Sequence, residues 1–159
     1  MPERSSLPAL LSPHSLQERI DGVGRLLRQY RFAYVPVYVA DLQRYFDGEA
    51  PSGDVTTLAD VVRSYWLLVH EVVECSELKR RGYEPSVTLL HDEPSLVEEV
   101  HLVAFEWELW LAMEQGDLGW VEKRLPLVNV WLDCDEEIGQ FERETCQRLL
   151  DEYGWVLEV

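Results

Sequence analysis

Positively charged residues are scarce in this 159-residue chain, which has 14 lysines and arginines against 30 aspartates and glutamates. The formal net charge of −16 at pH 7 leaves no basic surface with which to displace the counterions of a nucleic acid. An anionic membrane surface is disfavoured as a partner for the same electrostatic reason. The excess of acidic residues instead favours cations and basic proteins as partners.

Cysteines and long apolar runs are also scarce. Cys75, Cys134 and Cys146 form no Cys-x-x-Cys pair, so the sequence indicates neither a disulfide framework nor a thiolate zinc site. No apolar run approaches the ~20 residues that cross a bilayer, and the first residues lack the pattern of a signal peptide. These absences predict a cytoplasmic protein with free thiols.

Hydrophobic residues nonetheless make up 47% of the chain, and their spacing is helical over most of its length. The pattern predicts one all-α domain over residues 15–159, a bundle of five or six helices. A flexible N-terminal arm, rich in proline and serine, is predicted over residues 1–14. The alternative is an α+β fold with a small C-terminal hairpin, because residues 125–132 and 155–159 are compatible with extended structure.

Capping residues and glycines predict the limits of the helices. A Ser-x-x-Glu capping box at Ser15 predicts the start of the first helix, and Pro36 predicts the start of the second. The third helix is predicted to run without interruption over residues 57–81, and the fourth over residues 94–116, each followed or ended by a glycine. The last helix is predicted over residues 126–153, or as a shorter helix that begins near residue 134.

The fourth predicted helix is apolar almost all round, which is typical of a helix at the centre of a fold. Glu108 lies in this helix, where no polar face is evident. A buried carboxylate needs a partner, and either a cation or an arginine would serve.

The third predicted helix contains the sequence His70-Glu71-Val72-Val73-Glu74. Residues four apart lie on one helical face, so His70 and Glu74 can hold one metal ion. The spacing is that of the His-Glu-x-x-His zinc motif, with Glu74 in place of the second histidine. Glu71 then occupies the position of the general base, and we predict it as the catalytic residue.

The fourth helix adds His101 and Glu108, and consecutive helices joined by a loop are usually antiparallel neighbours. The sequence therefore predicts a site for a divalent metal (zinc, iron or manganese). Its ligands are His70, Glu74 and His101, with Glu108 as the fourth ligand or as the partner of a ligand. One ion can join the two imidazoles only if their nitrogens lie within about 6 Å of each other.

A purely structural interpretation competes with the metal site. Four polar side chains of the third helix lie opposite its main apolar face, as on a solvated surface: Arg63, His70, Glu74 and Glu77. In this interpretation His101 is a hydrogen-bonded core residue, and Glu98 is the capping-box partner of Ser95. Trp66 and Leu78 argue against it, because they fall on the supposedly solvated side and predict that something covers it.

Two functions from different classes follow from the sequence. The one we expect is a non-catalytic, acidic helical module for protein interaction or self-association, as a homodimer or with a basic partner. The alternative is a divalent-metal-binding protein or metal-dependent hydrolase that uses the cluster of histidines and glutamates on two adjacent helices.

Overall fold

The computed structural model describes residues 4–47, 56–134 and 139–158, with the side chains of residues 133 and 134 excepted. Every regular element in these residues is helical, and none of them is a strand. The predicted all-α class is therefore confirmed. The hairpin of the α+β alternative does not occur in these ranges, because residues 126–132 and 154–158 are helical.

The described residues form nine α-helices and one 3-10 helix. In chain order the α-helices are α1 (Pro13–Gln29), α2 (Val39–Tyr45), α3 (Leu58–Val62), α4 (Tyr65–Arg80), α5 (Leu89–Asp92), α6 (Pro94–Glu114), α7 (Leu118–Arg124), α8 (Pro126–Cys134) and α9 (Gln140–Tyr153), and the 3-10 helix covers Gly154–Glu158. This number exceeds the predicted five or six, because two of the predicted helices are divided and a predicted loop contains α5.

Ser64 divides the predicted third helix into α3 and α4. Its backbone is extended, and its hydroxyl accepts a hydrogen bond of 3.3 Å from the Leu67 N–H, as an N-cap does. The apolar spacing continues through this position, so periodicity alone does not reveal the break. Gly139, extended before α9, interrupts the predicted last helix in the same way.

The first two helices do not begin where the sequence predicts. Ser12 caps α1, because its hydroxyl accepts a hydrogen bond of 3.1 Å from the Ser15 N–H and Pro13 occupies the first turn. The helical part of the chain therefore starts before residue 15. The second helix begins at Val39 rather than at Pro36, and Pro36 lies in a non-helical segment.

The start of α6 also differs from the prediction. Glu93 is the N-cap and Pro94 occupies the first turn, so Ser95 lies inside the helix. Proline is favoured at the first helical position because its missing N–H is not needed there. The predicted capping box of Ser95 therefore does not explain Glu98.

Three helices end in the same kind of turn, in which the residue after the C-cap has a positive φ. Gly82 (φ 90°) follows α4 and Gly116 (φ 76°) follows α6, as the sequence predicts. Arg31 (φ 65°) occupies the same position after α1, where a side chain makes this conformation costly. In each turn the residue after the one with positive φ donates its N–H to the carbonyl five residues before it, at 2.8–2.9 Å.

The α4 and α6 helices form the centre of the bundle and pack against each other along their lengths. They are antiparallel: Trp66 Nε1 donates to Asp117 at one end (2.8 Å), and Arg81 donates to Glu99 at the other (3.0 Å). The predicted central position of the fourth helix is thus observed for α6, and α4 shares it. Between Trp66 and Leu78 every residue of α4 is buried except Leu67 and Glu71, which are half-buried.

The segment predicted as a flexible arm makes defined contacts from residue 4 onwards. The Arg4 carbonyl accepts a hydrogen bond of 2.8 Å from the Leu58 N–H at the start of α3. The Arg4 Nε donates to the Thr56 carbonyl at 3.1 Å, and the guanidinium lies 5.2 Å from the centre of the Phe46 ring. These contacts hold an arginine against the junction of α2 and α3.

Within the described ranges, no helix combines the length and the apolar character needed to cross a membrane. Cys75 and Cys146 are buried free thiols. The side chain of Cys134 lies outside the described part of the chain.

Candidate metal centre

The α4 helix places His70 and Glu74 on one face, because four residues span about one helical turn. The His70 Nε2 lies 3.1 Å from Glu74 Oε2. The two residues are only 2% and 4% exposed, and Glu77 is buried as well. The interpretation of this face as a solvated surface is therefore wrong. Trp66 and Leu78 are buried as expected, and α4 packs chiefly against α6, whereas Arg63, which precedes α4, is exposed.

The α6 helix brings His101 to the same point. Its Nδ1 lies 3.1 Å from His70 Nε2, well inside the limit of about 6 Å for a shared ion. The same nitrogen lies 3.4 Å from Glu74 Oε2. Three of the four predicted ligands therefore meet, and each offers one ligand atom to a common point.

The three ligand atoms form a triangle with sides of 3.1, 3.1 and 3.4 Å. With bonds near 2.1 Å, neighbouring ligand atoms on one ion are about 3.4 Å apart in a tetrahedron and about 3.0 Å apart in an octahedron. The triangle thus has the size of one face of either polyhedron. It requires no movement of α4 relative to α6 to accept an ion.

Glu108 lies behind His70, on the opposite side of the ring from this triangle. Its Oε1 is 2.9 Å from His70 Nδ1, and the residue is completely buried. Arg124 donates to both carboxylate oxygens (2.8 and 3.0 Å), and Trp120 Nε1 donates to Oε2 (2.7 Å). The geometry therefore gives Glu108 the role of a partner to His70. The cationic partner that the sequence demands for it is Arg124.

Hydrogen bonds stabilise a positive charge on His70. Burial by itself lowers the pKa of this imidazole, but hydrogen bonds to Glu108 and Glu74 outweigh burial and raise the pKa to about 10. Burial acts to raise the pKa of Glu74, yet hydrogen bonds to His101 and His70 hold it well below its usual range. The buried site thus favours a cation between two carboxylates.

Tyr45, at the end of α2, contacts the cluster from a third helix. Its hydroxyl donates to Glu74 Oε1, which leaves Oε2 as the oxygen that faces the two histidines. Burial and then the charge of Glu74 raise the pKa of Tyr45 well above its usual value, so the hydroxyl stays protonated and remains a donor. No sequence signal marks this residue, which lies 29 positions before Glu74.

A cavity of about 480 Å³ adjoins the cluster, a size typical of small-molecule sites. His70, Glu74 and His101 line it, and Glu108 does not. Much of the remaining wall is apolar: Phe46, Val61, Leu67, Val87, Leu90, Val97 and Trp131. The ligand triangle therefore faces a cavity whose wall is partly apolar and partly polar, with Glu71, Glu98, Arg4 and Arg124 among its charged residues.

Glu71, the predicted catalytic base, lines the same cavity. One of its carboxylate oxygens, Oε2, is buried, and its charge adds to the effects that raise the pKa of His70. Glu71 is thus close enough to the cluster to affect it electrostatically, while its carboxylate belongs to the cavity wall.

Comparisons of the chain with protein-family models, with curated proteins and with solved structures found no significant match. The function therefore has to be argued from the chemistry of the site.

Proposed function

We propose that the protein binds one divalent transition-metal ion through His70 Nε2, Glu74 Oε2 and His101 Nδ1. The observation that carries this proposal is the triangle of these atoms, with sides of 3.1–3.4 Å, on the wall of a cavity. Two imidazoles and one carboxylate suit zinc, and also iron(II) or manganese when further positions are filled by water.

The surroundings of His70 support a metal-binding role. A metal-binding histidine usually donates its second ring N–H to a carboxylate, which fixes the ring and makes the other nitrogen a better ligand. Glu108 is in position to accept this hydrogen bond at 2.9 Å, and Arg124 and Trp120 hold Glu108 in turn. Glu74 and Glu108 flank His70, and the positive charge that they need between them can come from a bound ion or from a proton on His70.

We propose metal-dependent hydrolysis as the reaction. Three protein ligands leave coordination positions for water and substrate, and a bound zinc ion lowers the pKa of its water to about 7. In this scheme Glu71 would be the residue that accepts a proton from a metal-bound water. The cavity beside the cluster holds the substrate and limits the access of bulk solvent.

A hydrogen-bonded cluster without metal is the competing explanation, because a separation of 3.1 Å between a ring nitrogen and a carboxylate oxygen also suits a hydrogen bond. Metal analysis of untagged protein purified without chelator separates the two. We expect one equivalent of zinc, iron or manganese, lost in His70→Ala and in His101→Ala. His91→Ala, which changes an exposed histidine outside the cluster, is the matched control and should keep the metal.

The melting temperature gives an independent result. Metal-free protein should become more stable when zinc is added, by an amount that grows with free zinc concentration, because the ion binds only the folded chain. A metal-free protein whose melting temperature ignores zinc, iron(II) and manganese would remove the proposal. The histidines and Glu74 would then serve the fold alone.

A module for self-association is the second candidate function. Exposed apolar side chains in α8, α9 and the 3-10 helix favour it: Leu127, Val130, Phe141, Trp155 and Leu157. Apolar side chains grouped at a surface often mark an interface. Analytical ultracentrifugation should find a dimer that Trp155→Glu dissociates, whereas a monomer at every concentration would exclude a homodimer.

A further inference from the structure

Two arginines line the cavity beside the cluster, and they differ in what they contact. Arg124 is paired with the carboxylate of Glu108 through two of its nitrogens. Arg4 is held by neutral groups instead: its Nε donates to the Thr56 carbonyl, and its guanidinium lies over the Phe46 ring. Within the described ranges Arg4 makes no ion pair, although the chain contains 30 acidic residues.

The contacts of Arg4 with the described residues orient its guanidinium, and none of them is with a carboxylate. The hydrogen bond from Nε (3.1 Å) and the aromatic face of Phe46 (5.2 Å) restrain the side chain at the cavity wall. The terminal N–H groups of a guanidinium form a planar fork that matches a carboxylate, sulfate or phosphate group. A restrained fork of this kind binds an anion with little further loss of side-chain freedom.

The rest of the cavity specifies what must be attached to that anionic group. A net charge of −16 and the carboxylates of Glu71 and Glu98 on the cavity wall disfavour a free anion, so binding needs a second favourable contribution. The apolar wall, which includes Leu67, Leu90 and Trp131, supplies this contribution by burying apolar surface of a ligand.

We infer that the cavity binds an amphipathic organic anion, with its anionic group on Arg4 and its apolar body against the wall between Arg4 and the His70–Glu74–His101 cluster. This inference rests on the proposed function in one respect. If a metal ion is bound at the cluster, it would face the same organic anion, and that anion would be the substrate. The ligand class itself follows from Arg4 and the apolar wall, and does not require the metal.

Three probes with the same chain test the ligand class by calorimetry: octyl sulfate, 1-octanol and octylammonium. A sulfate ester is a poor ligand for zinc, so its binding reports on the cavity rather than on the ion. We expect octyl sulfate to bind roughly 10- to 100-fold more tightly than 1-octanol, the range for one charge-assisted contact. Arg4→Gln should abolish this difference, and Arg4→Lys should keep part of it.

Arg25→Gln is the matched control, because it removes the same charge from an exposed position in α1. Circular dichroism of each variant establishes that it is folded. Only the side chain of Arg4 is changed, so its backbone bond to Leu58 is retained. If Arg4→Gln does not fold, the affinities of Arg4→Lys and the order of the three probes on the unmodified protein still test whether Arg4 binds the anionic group.

Equal affinity for octyl sulfate and 1-octanol, tighter binding of octylammonium, or an octyl sulfate affinity unchanged in Arg4→Gln would overturn the inference. Each measurement is made on metal-free and on zinc-treated protein. If zinc does not bind but octyl sulfate binding depends on Arg4, the proposed metal function fails and the ligand class stands. If zinc binds stoichiometrically and Arg4 has no effect, only the ligand class fails.

Discussion

The hydroxyl of Tyr45 holds Glu74 in the orientation that a metal ligand needs, and Tyr45→Phe removes only that hydroxyl. Because the acceptor is a buried carboxylate, loss of this hydrogen bond should lower the free energy of unfolding of the metal-free protein by about 1.5–3 kcal/mol. For a chain of this length the melting temperature should fall by roughly 3–12 °C. Zinc affinity should fall roughly 10- to 100-fold, the usual effect of losing a group that positions a ligand.

Calorimetry measures both effects, by a thermal scan of the metal-free protein and by a zinc titration. Tyr38→Phe is the matched control, since Tyr38 is 54% exposed and its loss of a hydroxyl should change neither quantity. If Tyr45→Phe has the same melting temperature as Tyr38→Phe, the hydrogen bond to Glu74 contributes nothing to stability and this prediction is wrong. If the melting temperature falls but zinc affinity does not, the bond exists and Glu74 is not a ligand.

Further predictions concern three other features. Arg31→Gly should raise the free energy of unfolding by about 0.5–1 kcal/mol, and Gly82→Ala should lower it by about 1 kcal/mol, as measured by urea denaturation, because both residues have positive φ. Arg124→Gln should cost about 2–4 kcal/mol in the same assay, because it removes the guanidinium that pairs with the buried Glu108 and leaves protonated His70 as its remaining cationic contact. The pKa of His70, raised to about 10, means that metal-free protein loses stability as pH rises from 6.5 towards 10. It also means that zinc should displace about one proton near neutral pH, so affinity should rise with pH; calorimetry in two buffers of different ionisation enthalpy measures this release.

Each of these predictions has a clear contrary result. A destabilised Arg31→Gly would mean that the arginine side chain contributes more than the backbone conformation costs. An unchanged stability in Arg124→Gln would mean that His70 and Trp120 satisfy Glu108 without the guanidinium. A binding enthalpy that does not depend on the buffer would mean that His70 carries no proton when zinc arrives.

Helical spacing was sufficient to predict the all-α class and the shared face of His70 and Glu74. It also predicted that the face is covered, because Trp66 and Leu78 fall on it. The sequence also predicted that Glu108 has a cationic partner, because a helix without a polar side buries any polar residue that it carries. These inferences depend only on the helical period and on the cost of burying a charge.

Several local features were not predictable from spacing. Ser64 interrupts an apolar pattern that continues on both sides of it, so hydrogen bonding rather than periodicity marks the break. Ser12 and Glu93 cap their helices because a proline follows each of them, and this moves the start upstream of the expected serines. The number of helices was underestimated because Ser64 and Gly139 divide two of the predicted helices and because α5 forms between residues 81 and 94.

Some features of the site follow from the local sequence, and others depend on the tertiary structure. The α-helical period brings His70 and Glu74 together on one turn, and no other part of the chain is needed for that. The approach of His101 to His70, the donation from Tyr45 and the pairing of Arg124 with Glu108 join residues 16–31 positions apart, and they depend on the rotation and register of packed helices. Packing of the whole bundle sets that rotation, because each helix must bury its own apolar face. No local pattern in the amino-acid sequence records the result.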